Sequence, residues 1–362
     1  MKIAIACGGT GGHLFPGLAV ADVLLERGHE VLVFISEKEI DSLATQGRND
    51  LQLKKLPSVG MPHVLSPSIV RFLTSSFSSY QKCREIFEEF QPDAVLGMGG
   101  FTSTAPILAG RTRKVPTFIH ESNAIPGKAN KITARLTSTV LLGFEECAAH
   151  FPKSRTEFTG TPIRKSLLAP VNRHAIFEKF GLREGVQTLL IMGGSQGAQG
   201  LNRAASAALA TFSSSELQVI HFTGKHGEET VRAEYANQGR AAYVSAFYHE
   251  MQEAYAIADL AISRSGAASL TELSHFGIPS VLIPYPFAAE DHQTLNAQIV
   301  VRAGAAILCR EENAIGGDLA DILHKLLEKP ELLQTMAAKN RGFSKNDAAA
   351  AVVNLIEQQC RR

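Results

Sequence analysis

Twice in this chain a short apolar run leads directly into a glycine cluster and then into a helical stretch, the two copies lying half a chain apart. Residues 4–7 (Ala-Ile-Ala-Cys) lead into Gly8-Gly9-Thr10-Gly11-Gly12, and residues 189–192 (Leu-Leu-Ile-Met) lead into Gly193-Gly194-Ser195-Gln196-Gly197. A glycine loop between a strand and a helix lets backbone N–H groups come close to an anion, and the helix N-terminus adds a partial positive charge. Around each copy, strand-like runs alternate with amphipathic stretches. In the first half these are Ile3–Cys7, Glu30–Ile35, Ala94–Leu96, Thr117–Ile119 and Val140–Leu142. The second half has Thr188–Met192, Val219–Phe222, Ala242–Val244, Leu260–Ile262, Val281–Ile283 and Ala306–Leu308. Alternating βα units of this kind build parallel, doubly wound sheets.

The expected fold is therefore α/β, with two Rossmann-like domains facing across a cleft. A length of 362 residues suits two domains. Gly160-Thr161-Pro162 to Pro170 punctuates the boundary, which gives domains of residues 1–163 and 164–343. The first helix is expected from Pro16 to Arg27. The C-terminal stretch 344–362 reads as a helix with no strand after it, open to packing back on the first domain.

Composition removes several classes. Basic and acidic residues number 36 and 35, so a surface devoted to nucleic acid is not expected. The five cysteines (Cys7, Cys83, Cys147, Cys309, Cys360) form no CxxC pair, which argues against a disulfide framework or structural zinc and for a reducing cytoplasm. The apolar run after Lys2 stops at Gly8, too short for a signal peptide, and no run approaches the ~18–20 residues of a membrane span.

Further motifs narrow the ligand. Gly97–Gly100 with Ser103 is another glycine loop after a strand, and Ser263-Arg264-Ser265-Gly266-Ala267 opens a helix after Leu260–Ile262. Repeated loops of this type point to phosphate or sugar recognition. None spells GxGxxG, so Glu37 at the end of the second strand is weak support for a dinucleotide, and no GxxxxGK[ST] occurs. Glu272, early in the helix after Ser263, could accept two ribose hydroxyls; the alternative is a favourable contact with the helix dipole.

Together these motifs resemble the MurG glycosyltransferase family. The resemblance rests on Gly8-Gly9-Thr10-Gly11-Gly12-His13 with Pro16-Gly17-Leu18-Ala19, on Gly97-Met98-Gly99-Gly100-Phe101 with Ser103, and on His120-Glu121 with Asn123. It continues through Gly160, Pro162 and Arg164, Gly193–Ala198, Ser263–Ala267, and Asp291 with Gln293, Asn296 and Ala297. Thr161, Ser122 and Thr294 depart from residues the family often carries there. The resemblance implies a GT-B fold and a peptidoglycan-synthesis activity. N-acetylglucosamine would pass from UDP-N-acetylglucosamine, with inversion, to the C4 hydroxyl of the muramyl sugar of undecaprenyl-diphosphate-linked muramyl-pentapeptide, converting lipid I to lipid II. It implies no cofactor.

That chemistry needs a base for the attacking hydroxyl and positive potential for the departing diphosphate. No DxD pair appears, so no protein-bound metal is expected. His13 is the candidate base, its ordinary pKa of ~6.5 suiting proton transfer near neutrality; the alternative is a histidine that binds acceptor phosphate or caps a helix. His120-Glu121 is a second possible acid–base pair. Arg164, Ser195 and the helix start at Ser265–Ser269 are candidates for the diphosphate. By resemblance, Thr10, Gly11, Gly12 and Asn123 contact the donor sugar region, and Tyr248 lies beside uracil through its backbone. Ala267, Ala268, Ser269, Leu270, Thr271 and Glu272 would bind phosphate and ribose, and Gln293 the sugar hydroxyls.

A lipid-linked acceptor implies a peripheral position on the cytoplasmic face of the bacterial membrane. Residues 51–135 carry 11 basic and 5 acidic side chains, 11 − 5 = +6. Within that stretch Val64, Leu65, Ile69, Val70, Phe72, Leu73 and Phe77 cluster around Arg71. Exposed, such a patch would favour an anionic membrane surface; the helical spacing is equally that of a core face. The competing functions are another GT-B glycosyltransferase, a UDP-sugar 2-epimerase and a non-catalytic nucleotide-sugar-binding protein. The epimerase would turn over the donor alone.

Overall fold

Parallel strands covered on both faces need near-continuous apolar sequence, and the first strand shows it: Ile3, Ala4, Ile5, Ala6 and Cys7 are all fully buried. The structure, a computed structural model, describes residues 1–361 except 39–40, 43–44, 58–65, 195–197, 344 and 346. It divides into two units, Met1–Arg164 with Lys345–Arg362, and Lys165–Ser344.

In the first unit the described strands are β1 (Lys2–Ala6), β2 (Glu30–Ser36), β3 (Gln52–Leu56), β4 (Ala94–Gly97), β5 (Thr117–Glu121), β6 (Thr139–Leu142) and β7 (Thr156–Phe158). They pair in the order β3-β2-β1-β4-β5-β6-β7, every pair parallel. Alternate side chains of β1 face opposite layers. Ile3 and Ile5 pack with Leu14, Leu18 and Val20, whereas Ala4 and Ala6 pack with Cys83, Phe87 and Ile107. The helix Gly11–Glu26 lies close on β1 because Gly17 has no side chain; a Cβ there would come within 2.8 Å of Cys7 Sγ. The helix Ala348–Cys360 completes this layer through Val352, Val353 and Ile356. Asp347 Oδ1 caps it by accepting the Ala350 N–H at 3.2 Å, and Arg27 donates to Asn354 Oδ1 at 2.7 Å.

In the second unit β8 (Gln187–Met192), β9 (Leu217–Phe222), β10 (Ala242–Ser245), β11 (Leu260–Ser263), β12 (Ser280–Leu282) and β13 (Ala306–Leu308) pair in the order β10-β9-β8-β11-β12-β13, again in parallel. Leu189, Ile191, Val219, Ile262 and Val281 meet Leu201, Leu319 and Leu323 in one core. Both sheets are doubly wound, and each order reverses beside its glycine-loop strand, between β1 and β4 and between β8 and β11. Ligands of such sheets bind beyond the strand C-termini at that reversal.

The structure differs from the sequence expectation in three places. The strands β3 and β7 were not foreseen, because Gln-Leu-Lys-Lys-Leu and Thr-Glu-Phe carry the polar character of sheet edges rather than a buried run. The first helix begins at Gly11, five residues before Pro16, so His13 belongs to its first turn. Pro16 has no N–H to donate, which leaves the Gly12 carbonyl without its usual i+4 partner. Third, the helix Ser68–Phe90 buries Ser79, Cys83, Phe87 and Phe90, all from its second half. Val70, Leu73 and Phe77 are 62%, 59% and 61% exposed, so the core alternative fails for them. Ile69 and Phe72 are half-buried, Phe72 meeting the Phe101 ring edge-on at 5.2 Å, and Val64 and Leu65 lie outside the described residues.

Candidate active site

The reversal of the first sheet brings the loop after β1 against the loop after β4. Thr10 is the residue before the helix Gly11–Glu26, and its hydroxyl does not cap the helix. It lies 3.3 Å from His13 Nδ1 instead. The N–H groups of Gly11 and Gly12 therefore open the helix with no side-chain cap among the described residues. The His13 ring lies against the Gly99–Gly100 turn, where a Cβ on Gly99 would stand 2.9 Å from His13 Nε2. Both glycines have positive φ, 109° and 71°, so this turn is glycine's for two reasons, conformation and the space the imidazole takes.

His13 is half-buried. Burial lowers its pKa to about 4, with Asp41 pulling it up and Lys38 pushing it down. It is therefore neutral near pH 7 and able to accept a proton. Asp41, fully buried, anchors the loop: its Oδ2 accepts from the Gly9 N–H and the Ser36 N–H at 2.8 Å and from the Ser36 hydroxyl at 2.5 Å. Lys38 Nζ donates to the Gly9 carbonyl at 2.7 Å. On the other loop, the Ser103 hydroxyl donates to the Ala6 and Gly99 carbonyls at 3.1 and 2.8 Å, tying the loop of β4 to β1.

Arg164 ends this unit and reaches the same region. Its guanidinium lies 4.4 Å from the centroid of the Phe15 ring, and Phe15 packs on Gly11. The Arg164 Nε is buried without a hydrogen-bond partner among the described residues. Asn123, half-buried, donates through its backbone N–H and Nδ2 to Glu121 Oε1 at 2.9 and 3.1 Å.

The His120-Glu121 pair is not arranged for acid–base work. His120 is fully buried, its Nε2 3.0 Å from the Gly160 carbonyl and its Nδ1 3.2 Å from the Ser122 hydroxyl. Burial lowers its pKa to about 4. Glu121 is buried as well, and burial raises its pKa. Besides Asn123 it accepts from the Gly127 N–H at 3.1 Å and from Asn130 Nδ2 at 2.8 Å. The pair is a scaffold that orients Asn123. Asn130 and Asp41 are supporting residues the motifs did not single out, because each acts through backbone and carboxylate contacts with no spacing signature.

In the second unit the helix Ala267–Phe276 starts just beyond β11, with Gly266 before it and no side-chain cap. Its first-turn N–H groups, from Ala267, Ala268 and Ser269, are those that a helix start leaves without an intrahelical partner, the groups that can take an anion. Leu270 has its side chain in the core and the Thr271 hydroxyl donates to the Ala267 carbonyl at 2.9 Å, so these two contribute backbone only. Glu272, half-buried, accepts a hydrogen bond from the Tyr255 hydroxyl at 2.6 Å. Gln293 Oε1 accepts the Tyr285 N–H at 2.9 Å, which leaves its NH2 to donate. Ser265 donates to the Gln293 carbonyl at 2.8 Å, and Asn296 Nδ2 to the Ser265 carbonyl at 3.1 Å, locking the two loops together. The Tyr248 ring stacks on Phe222, with centroids 5.4 Å apart, and its hydroxyl bonds Glu253. The side chain is thus committed within the domain, and only the backbone is free for a base. Ser195 lies outside the described residues. A cavity of about 770 Å³ opens at the opposite end of this sheet, beside Gln187, Ala258 and Pro279, away from these loops.

Comparison with known proteins agrees with this fold. Residues 3–142 match the glycosyltransferase family 28 N-terminal domain and residues 188–352 match the glycosyltransferase family 28 C-terminal domain. The UDP-N-acetylglucosamine--N-acetylmuramyl-(pentapeptide) pyrophosphoryl-undecaprenol N-acetylglucosamine transferase of Thermodesulfovibrio yellowstonii is 36% identical, with 100% of both chains covered. The same-named protein of Geobacter sulfurreducens is also 36% identical over 100% of both. The crystal structure of Acinetobacter baumannii MurG superposes with a TM-score of 0.77 at 29% identity, covering 99% of each chain. A UDP-GlcNAc 2-epimerase from Neisseria meningitidis reaches a TM-score of 0.70 at 14% identity, covering 99% of this chain and 100% of that one, a likeness of fold alone.

Proposed function

The chain belongs to glycosyltransferase family 28, in its MurG group, and from that premise we propose a division of labour between its two sites. The enzyme transfers N-acetylglucosamine from UDP-N-acetylglucosamine to the lipid-linked muramyl-pentapeptide, making a β-1,4 bond by inversion. Full-length identity of 36% to transferases of that name carries the choice of reaction, since the fold is shared with an epimerase.

The second domain holds the donor nucleotide. The uncapped N–H groups of Ala267, Ala268 and Ser269 take diphosphate oxygens, Glu272 takes the ribose hydroxyls, and the Tyr248 backbone takes uracil. The NH2 of Gln293 serves the sugar hydroxyls. Ser195 is assigned to the diphosphate from its sequence position only.

The first domain does the chemistry. The muramyl C4 hydroxyl attacks C1 of the donor sugar from the face opposite the diphosphate. The new C–O bond forms as the bond from C1 to the β-phosphate oxygen breaks. His13 accepts the hydroxyl proton, and the electron pair leaves with UDP. Thr10, Gly11, Gly12 and Asn123 hold the sugars, and Arg164 offers its free N–H and charge to phosphate. A diphosphate beside His13 would raise the imidazole pKa from its low starting value and strengthen it as a base.

The first domain also meets the membrane. No described helix is long and apolar enough to cross one. Val70, Leu73 and Phe77 stand out from the helix Ser68–Phe90 beside exposed Arg71, in a stretch with an excess of six basic charges. Apolar insertion and attraction to anionic headgroups would together hold the enzyme peripherally at the cytoplasmic face, where the acceptor is presented.

The test is transfer of labelled N-acetylglucosamine to a lipid I analogue, run beside a reaction with the donor alone. Product only when acceptor is present supports the transferase. Conversion of the donor sugar without acceptor would mean the epimerase.

A further inference from the structure

Glu272 is a flexible side chain at a half-exposed position, yet the structure does not leave its orientation to chance. Tyr255 lies in the helix Met251–Ile257, which precedes β11, while Glu272 lies in the helix that follows it. Tyr255 is 3% exposed. It packs against Phe276, one turn beyond Glu272, with centroids 5.1 Å apart. Its hydroxyl donates to Glu272 Oε2 at 2.6 Å and lies 3.7 Å from Met192 Sδ at the end of β8. A rigid phenol, buried against the helix Ala267–Phe276 and the end of β8, therefore grips one oxygen of the carboxylate.

We propose that Tyr255 is the positioning residue for ribose recognition: by holding Glu272 Oε2 it sets the direction in which the carboxylate meets the vicinal 2′ and 3′ hydroxyls of the donor nucleotide. The inference rests on the reading that Glu272 binds ribose. A glutamate has three side-chain torsions to immobilise on binding, and a tyrosine has two, already fixed here by burial. Pre-ordering the carboxylate moves that entropy loss from binding to folding. Tyr255 itself touches no substrate.

The discriminating probe is the ribose. Affinities for UDP and for 2′,3′-dideoxy-UDP are measured by calorimetry on the full chain, for wild type, Tyr255→Phe and Glu272→Ala. Wild type prefers UDP. Tyr255→Phe keeps the ring and its packing, and loses about tenfold in affinity for UDP with little change for the dideoxy compound. Glu272→Ala abolishes the preference altogether. If Glu272→Ala loses the preference and Tyr255→Phe retains it, the positioning role is wrong and the ribose reading stands. If Glu272→Ala retains it, the ribose reading fails and the inference falls with it. Equal weakening of both ligands by Tyr255→Phe marks a merely structural tyrosine and also overturns the inference. Tyr255→Leu, read the same way, replaces the phenylalanine variant should that one not fold.

Discussion

The two domains use the same device and spend it differently. In each, a helix with no side-chain cap among the described residues starts where the strand order reverses, directly after the glycine loop of β1 in the first domain and after β11 in the second. The first domain adds a titratable ring, His13, laid against a glycine turn and lowered in pKa by burial. The second adds a carboxylate, Glu272, gripped by a buried phenol. On the proposed reading the neutral imidazole would move a proton and the oriented carboxylate would recognise hydroxyls, so that one architecture would serve a chemical half and a binding half.

Removing each side chain in turn should break that contrast in opposite ways. His13→Ala is expected to lower kcat about 10²–10⁴-fold, the usual worth of a positioned base, with UDP affinity unchanged. Glu272→Ala is expected to weaken UDP binding roughly 10–100-fold, since it removes hydrogen bonds to a charged group, with little change in melting temperature. Equal loss of rate and affinity in both variants would dissolve the distinction.

The proposed membrane face lies on the first domain. Phe77→Ser removes one exposed aromatic side chain and is expected to weaken binding to anionic vesicles about tenfold, as befits the burial of one such group. Binding of the wild type should fall as salt rises. Flotation that is insensitive to both changes would remove the patch from the account.

The smallest effect at neutral pH is one the domains share. His120 in the first and His221 in the second are fully buried, and burial lowers their pKa values to about 4 and about 3. His221 is held neutral between the Tyr235 hydroxyl at 2.9 Å and Asn202 Oδ1 at 3.1 Å. The unfolded chain protonates both near pH 6.5. Below that pH it binds more protons than the folded chain, so stability falls until the folded values are reached. Each histidine contributes on the order of 3–5 kcal/mol of that loss. Chemical denaturation at pH 7 and pH 5 should show about 2 kcal/mol of it per histidine, and His221→Asn should flatten the slope.

Much of this was legible in the sequence, for a physical reason. Interior parallel strands must be apolar throughout, so runs such as Ile3–Cys7 and Leu189–Met192 announce themselves, and the glycine loops mark their C-terminal ends. The edge strands β3 and β7 were hidden because an edge tolerates Lys54, Lys55 and Glu157. His13, Arg164, Asn123, Glu272 and Gln293 could be named from motifs. Their partners could not. Asp41 beneath the first loop and Tyr255 behind Glu272 act across sequence separations that only the packed sheet closes. The exposure of Val70, Leu73 and Phe77 was equally invisible, since a membrane face and a core face share one periodicity.

The division of labour is tested most directly by single-turnover transfer at saturating UDP-N-acetylglucosamine and lipid I analogue, measured for wild type, His13→Ala and Glu272→Ala. At saturation Glu272→Ala should approach the wild-type rate, its defect in affinity overcome by mass action, while His13→Ala stays at least a hundredfold slower. A His13→Ala enzyme that turns over at the wild-type rate would contradict the account.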